Sequence, residues 1–179
     1  MLKLRKTGPG EPLIVSMTAV RMADRLLIIG CSKPDVVAKL ATKPGLTGRT
    51  CAVDEDPERA ALAVAAGERA GALVEGQDAP VTSLPYEAES FDVVVVSHLL
   101  PRLEPDRRVH ALNEAARVLR RGGRCVVVQA GRRTGLAGLF GRAQIEVADV
   151  ESAMQTAGFR AVRTLAERQG LIFVEGGRR

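Results

Sequence analysis

Apolar and polar positions alternate along this chain in blocks rather than residue by residue. Arg25-Leu26-Leu27-Ile28-Ile29-Gly30, Thr50-Cys51-Ala52-Val53-Asp54, Phe91-Asp92-Val93-Val94-Val95-Val96 and Cys125-Val126-Val127-Val128 are short, largely uninterrupted apolar runs. Such runs predict strands covered on both faces. Ala72-Leu73-Val74-Glu75 predicts one more short strand, third in chain order. Between the strands the spacing becomes helical. A turn and a helix from about Asp35 to Ala41 follow the first strand, and a helix from Pro57 to about Ala70 presents Ala60, Leu62, Ala63 and Ala66 on its packed side. From Arg107 to Leu119, Val109, Leu112, Ala115, Ala116 and Leu119 recur at helical spacing, and Gly122-Gly123 is expected to end that helix.

The flanks complete the pattern. Residues 1–10 read as a loose arm and Pro12 to Met22 as a short helix under the sheet. Gly131 to Ala143 is a glycine-rich, basic loop carrying Leu136, Leu139 and Phe140, which suit either a core flap or part of a substrate site. A helix from about Val147 to Ala157 stops at Gly158. Phe159 to Leu165 and Leu171 to Val174 then form two strands whose Ala-Glu-Arg-Gln-Gly connection is too short for a crossover, so they must pair as an antiparallel hairpin. The predicted fold class is α/β: a single doubly wound, mostly parallel seven-stranded sheet with an antiparallel C-terminal hairpin. The expected division is an arm and short helix over 1–24 and one domain over 25–179. Ligands of such sheets gather at the carboxyl ends of the strands, here around Ser97 and His98.

Composition narrows the function classes. A chain of 179 residues with 46% hydrophobic content supports one domain with a full core. Aromatic content of 3% with no Trp argues against a stacking platform for single-stranded nucleic acid. The net charge of +5 is modest, and Arg120-Arg121, Arg132-Arg133 and Arg178-Arg179 read as solvated surface before they read as phosphate contacts. Cys31, Cys51 and Cys125 lie in or beside apolar strands without C-x-x-C spacing, as reduced core thiols of a cytoplasmic protein do; no metal set is expected. The short apolar run near the N-terminus lacks the form of a signal peptide, and no stretch reaches the length of a membrane span.

The segment Leu84 to Val128 carries a family pattern. The Leu84-Pro85-Tyr86 turn, Ser90-Phe91-Asp92 entering the fourth strand, and Glu114-Ala115-Ala116-Arg117-Val118-Leu119-Arg120-Arg121-Gly122-Gly123 together resemble class I S-adenosylmethionine-dependent methyltransferases of the small, ubiquinone-biosynthesis-like (methyltransferase type 11) group. The resemblance covers roughly Arg25 to Val174, and the closing hairpin suits a family whose seventh strand runs antiparallel. It implies S-adenosylmethionine as cofactor, with Gly30, Cys31, Ser32, Asp54, Glu55, Asp78, Ala79 and Ser97 as cofactor-binding residues and His98 as the catalytic candidate. Asp54 matches the acid that accepts hydrogen bonds from both ribose hydroxyls; it also stands where Asp54-Glu55-Asp56-Pro57 would cap a helix. Asp78-Ala79 resembles the pair that reads the adenine edge, and Ser97-His98 the segment beneath the methionine portion. His98 fits a base or a capping and packing residue equally.

The pattern breaks in the first loop. Where the family has acid, apolar, Gly, x, Gly, x, Gly, this chain has Ile28, Ile29, Gly30, Cys31, Ser32, Lys33 and Pro34. Ile28 replaces the acid, while Ser32 and Pro34 replace glycines that let backbone approach the ligand and adopt positive φ. Lys33 adds a cation useful only if it reaches the methionine carboxylate, and Pro34 suits the first residue of the following helix. Two functions therefore compete. One is methyl transfer to an unidentified small or lipophilic acceptor. The other is a non-catalytic methyltransferase-like binding or scaffolding module that has lost normal cofactor binding, working with a protein partner or as a homo-oligomer. A nicotinamide dehydrogenase is disfavoured, because Gly30-Cys31-Ser32-Lys33-Pro34-Asp35 is no G-x-G-x-x-G.

Overall fold

The computed structural model describes residues 12–131 and 145–179. The loose arm, Arg132-Arg133 and the Leu136, Leu139 and Phe140 of the basic loop lie outside these residues. Seven strands form one sheet in the order β3-β2-β1-β4-β5-β7-β6. They are β1 (Arg25–Ile29), β2 (Arg49–Asp54), β3 (Glu75–Asp78), β4 (Phe91–Ser97), β5 (Leu119–Ala130), β6 (Arg160–Arg168) and β7 (Leu171–Gly177). All are parallel except β7, which runs antiparallel to both β5 and β6. The doubly wound sheet and its closing hairpin are as the sequence predicts.

Each sheet face packs its own helices. The short α1 (Leu13–Thr18), α2 (Pro34–Ala41) and α3 (Pro57–Arg69) contribute Ile14, Val15, Val37, Leu40 and Ala63 to one core, facing Leu26, Ile28, Val93, Val95, Val126 and Val128. On the other face α4 (Pro105–Val118) and α5 (Val147–Thr156) bury Leu112, Ala115, Val118, Val150 and Met154 against Leu27, Ile29, Val94, Val96, Cys125 and Val127. Alternate residues of one strand thus enter opposite cores, which is why the central strands read as unbroken apolar runs.

Four expectations need correction. The first helix ends at Thr18, where Ala19 turns left-handed at φ 46, rather than reaching Met22. β3 begins three residues late, at Glu75: the buried residue Val74 packs under α3 beside Gly67, Leu73 is 80% exposed, and Glu75–Asp78 pair with Cys51–Asp54. An edge strand with so polar a sequence, Glu-Gly-Gln-Asp, is held by backbone hydrogen bonds and leaves no apolar signature. Gly122-Gly123 does not end α4 either. The helix passes directly at Leu119 into β5, and both glycines lie within that twelve-residue strand. A Cβ on Gly123 would stand 2.8 Å from the Leu119 side chain and 2.9 Å from the carbonyl oxygens of both Arg120 and Asp92, so β5 itself and the neighbouring β4 together exclude a side chain there. Finally, β6 and β7 are longer than expected, and only Gln169-Gly170 joins them, both at positive φ, the geometry of a tight two-residue hairpin.

Family motifs that look separate in sequence meet in space. Glu114 of α4 accepts the Leu84 N–H at 2.7 Å, and Arg117 donates to the carbonyls of Leu84 at 3.0 Å and Tyr86 at 2.8 Å. Arg117 is itself fixed by two bonds to Glu114, at 2.7 and 2.8 Å. The Leu-Pro-Tyr turn and the Glu-Ala-Ala-Arg helix are therefore two halves of one clamp. Asp92 accepts from the Arg25 backbone N–H at 2.8 Å, from the Arg25 side chain at 3.1 Å and from Arg120, tying together the amino ends of β1, β4 and β5.

Candidate functional site

The carboxyl edge of the sheet is where buried polar groups collect. Asp54, last in β2, is 2% exposed and Ser97, last in β4, is 1% exposed. A carboxylate so buried needs partners. Asp54 Oδ2 accepts the Cys31 N–H at 2.7 Å, its Oδ1 accepts the Asp56 N–H at 3.1 Å, and Arg59 Nη1 stands 3.7 Å from Oδ1. The helix-capping role falls to Asp56 instead, whose Oδ1 accepts the Glu58 N–H at 3.0 Å ahead of Pro57 at the first position of α3. The two roles that overlap on Asp54 in the sequence are thus divided between two residues.

Gly30 holds the opposite wall of this edge. Its φ is +91, and a Cβ there would lie 2.5 Å from the Ser97 carbonyl oxygen, so only glycine lets β1 end this close to β4. Ser32, Lys33 and Pro34 have no need of glycine. None has positive φ, and Pro34 opens α2 at a position whose N–H would be unbonded in any case. The altered loop is free of backbone strain. Ile28, at the position of the family acid, is fully buried between Ala52 and Val95 in the α1–α2–α3 core. The Cys31 thiol is raised to about 12 by burial and by the neighbouring Asp54 carboxylate, which makes it an inert core group.

Ser97 and His98 lie at the carboxyl end of β4. Ser97 Oγ lies 3.1 Å from His98 Nδ1, and the His98 N–H donates to the Val128 carbonyl at 2.7 Å. His98 has φ 51, a left-handed conformation that turns the chain out of β4. Burial, with help from the Lys33 ammonium, lowers its pKa below the ordinary imidazole value of 6.5. The ring is neutral at pH 7, and when Nδ1–H donates to Ser97 the lone pair is left on Nε2.

The remaining predicted residues line the β2–β3 side. Asp78 ends β3 directly opposite Asp54, and the Ala79 N–H donates to the Asp54 carbonyl at 3.2 Å. Asp78 is exposed and Ala79 half-buried. Glu55 is already engaged, since Oε1 accepts the Val81 N–H at 3.2 Å and Arg107 Nη2 at 2.6 Å. It braces the β3–β4 connection against the first turn of α4. Sequence reasoning passed over Arg59 and Gln129. Gln129 stands one residue past Val128 in β5 and is 1% exposed; a polar residue closing an apolar run was its signal.

Comparison with known proteins agrees with this geometry. A family profile described as a methyltransferase domain matches residues 27–127. The 27-O-demethylrifamycin SV methyltransferase of Amycolatopsis mediterranei (strain S699) is 34% identical over 111 residues, 62% of this chain. The chain spans 40% of the length of that relative. Among solved structures, a SAM-dependent methyltransferase from Aquifex aeolicus has a TM-score of 0.79 at 17% identity, covering 91% of this chain and 86% of its own. The apo S-adenosylmethionine-dependent methyltransferase SibL has a TM-score of 0.72 at 26% identity over 91% of this chain and 52% of its own. The [4+2]-cyclase SpnF has a TM-score of 0.74 at 16% identity over 93% and 78%, so the fold alone does not name a reaction. Among the described residues no helix is long and apolar enough to cross a membrane. With more than half of its length matched by the family profile, the chain belongs to the methyltransferase domain family, within the class I S-adenosylmethionine-dependent group.

Proposed function

We infer that this chain transfers a methyl group from S-adenosylmethionine to a small acceptor. The observation that carries the reading is Asp54: a buried carboxylate at the end of β2, held by two backbone N–H groups and not spent as a helix cap. A carboxylate offers about four lone-pair positions, so two remain for the hydroxyls of a ribose. Arg59 stands closer to Asp56, at 3.2 Å, than to Asp54 Oδ1, at 3.7 Å, so its main anchor is not the Asp54 carboxylate. The residues present fit the cofactor at this end.

When bound, the cofactor supplies a methyl carbon activated by a positively charged sulfur. The chain's task is positioning and proton management. Asp54 would hold the ribose, with Cys31 fixing the carboxylate through its N–H. Asp78 and Ala79 would meet the adenine edge, and Gly30 and Ser97 would lie beneath the methionine portion. Lys33 would supply a cation for the methionine carboxylate, while Ile28, standing at the position of the family acid, offers nothing to the methionine ammonium. His98, neutral at pH 7, is the group able to take a proton from an O–H or N–H acceptor. Glu55, the further cofactor-binding candidate, is oriented through its Oε1 by Val81 and Arg107. The alternative of a non-catalytic module drew its support from the altered loop; against it stands Asp54 beside that loop, buried and oriented by two backbone N–H groups.

The test is a thermal-shift titration. Saturating S-adenosylmethionine or S-adenosylhomocysteine should raise Tm by about 5 °C or more at roughly a hundred times Kd, while NADH leaves it unchanged. No shift at millimolar ligand would contradict the reading.

A further inference from the structure

Two adjacent arginines in the first turn of α4 run against the usual charge pattern of a helix. The amino terminus of a helix carries partial positive charge, which favours acids there and disfavours cations. Asp106 follows that rule, whereas Arg107 and Arg108 oppose it. Their side chains are engaged away from the helix. Arg108 Nε donates to the carbonyls of Leu100 at 2.9 Å and Leu103 at 2.8 Å, which holds the turn Leu100–Arg102 that follows His98 and Leu99 onto α4. Arg107 reaches the other way, 52 positions back along the chain, and its Nη2 donates to Glu55 Oε1 at 2.6 Å. Glu55 is the residue directly after Asp54.

The same Glu55 oxygen has a second donor. It accepts the Val81 N–H at 3.2 Å, and the Asp54 carbonyl accepts the Ala79 N–H at 3.2 Å. The loop leaving β3 through Asp78 and Ala79 is thus fastened at two points to one dipeptide, Asp54-Glu55. The second fastening depends on where the Glu55 carboxylate is held. With side chains 48% exposed for Arg107 and 36% for Glu55, each would range over several rotamers without the other. We propose that Arg107 is a positioning residue for the adenine end of the cofactor cleft: it fixes the Glu55 carboxylate that holds the Asp78–Val81 loop beside Asp54, and so makes cofactor affinity depend on ionic strength. The inference rests on the methyltransferase reading above and deepens it, naming a residue that acts on that site without touching the ligand. An ion pair that only stabilised the fold would lower Tm and leave affinity unchanged.

The test is a double-mutant cycle read by isothermal titration of S-adenosylhomocysteine, each protein being titrated below its own melting transition. Glu55→Gln keeps an oxygen for the Val81 N–H and removes the charge that Arg107 answers. At low salt, about 0.1 M, Arg107→Met should weaken binding about threefold, as befits a partly exposed pair. Arg107→Lys should recover most of that loss, and in the Glu55→Gln background Arg107→Met should cost nothing further. At high salt, about 1 M, the screening length falls from about 10 Å to about 3 Å, and wild type and Arg107→Met should bind alike. Equal affinity of these two proteins at low salt overturns the proposal. So does a loss that Arg107→Lys leaves unrepaired, or one that persists undiminished at high salt or in the Glu55→Gln background. Absence of wild-type binding would overturn the methyltransferase reading, and this proposal with it.

Discussion

His98 concentrates the residue-level physics of the site. Its left-handed backbone is set by the exit from β4, and its ring is set by Ser97, by burial and by Lys33. Burial and then the Lys33 charge both favour the neutral ring, so the folded-state pKa lies below the ordinary 6.5. The sign of the linkage follows: the unfolded chain binds the extra proton more readily, so this contribution to stability is complete above 6.5 and is lost as pH falls through the folded value. The chain has two His, and proton NMR titration with His98→Asn as the assignment control resolves them. His98 should titrate below 6.5, and Lys33→Met should move it upward without restoring 6.5, because burial is the larger cause. Titration at or above 6.5 in wild type would remove the basis for a neutral base at this edge. The sequence left base and packing roles of His98 balanced, since a side chain's burial is set by elements far along the chain. Gln129 closes an apolar run as a polar residue, but its burial is likewise set by residues farther along the chain, Ile145 and Ile172.

Elements covered on both faces were legible and elements held by backbone alone were not. β1, β2, β4 and β5 announce themselves through continuous apolar runs because each feeds two cores. β3 is a polar edge strand, and its register comes from β2. Gly122-Gly123 looks like a helix stop, yet at Gly123 the Leu119 side chain and the carbonyls of Arg120 and Asp92 leave no room for a side chain, a constraint that only the folded strands reveal. The recognisable motifs proved architectural: Glu114 and Arg117 clamp the Leu84–Tyr86 turn, and Asp92 joins the ends of three strands. Asp92 yields a pH prediction. Burial would raise its pKa, but bonds from Arg25 and Arg120 outweigh that and hold it at about 2 against the usual 3.8. Its contribution is present above 3.8 and lost as pH falls toward 2. Asp92→Asn should therefore lower Tm by several degrees at pH 7, and the gap to wild type should close as pH falls toward 2. A gap unchanged across that range, measured by circular dichroism melting, would show that the carboxylate charge is not what joins the strands.

At the scale of the whole molecule, the two ends of the sheet do different work. The amino end is a structural base in which Arg25, Arg49, Arg117, Arg120 and Arg178 bond to carboxylates and carbonyls. The carboxyl end gathers Gly30, Asp54, Asp78, Ser97, His98 and Gln129 on neighbouring strands. The altered first loop, the one feature that set the sequence against its family, holds none of Ser32, Lys33 and Pro34 at positive φ, and Asp54, the residue proposed to hold the ribose, accepts the Cys31 N–H beside it. Cofactor capture through Asp54 is accordingly the central claim, and isothermal titration of S-adenosylhomocysteine into wild type and Asp54→Asn tests it most directly. Removing one oxygen also faces an amide against a backbone N–H, so the variant should melt lower by a few degrees and must be titrated below its own transition. The account predicts saturable binding by wild type and affinity at least tenfold weaker in Asp54→Asn. Absence of wild-type binding at millimolar ligand, or equal affinity in the two proteins, would contradict it.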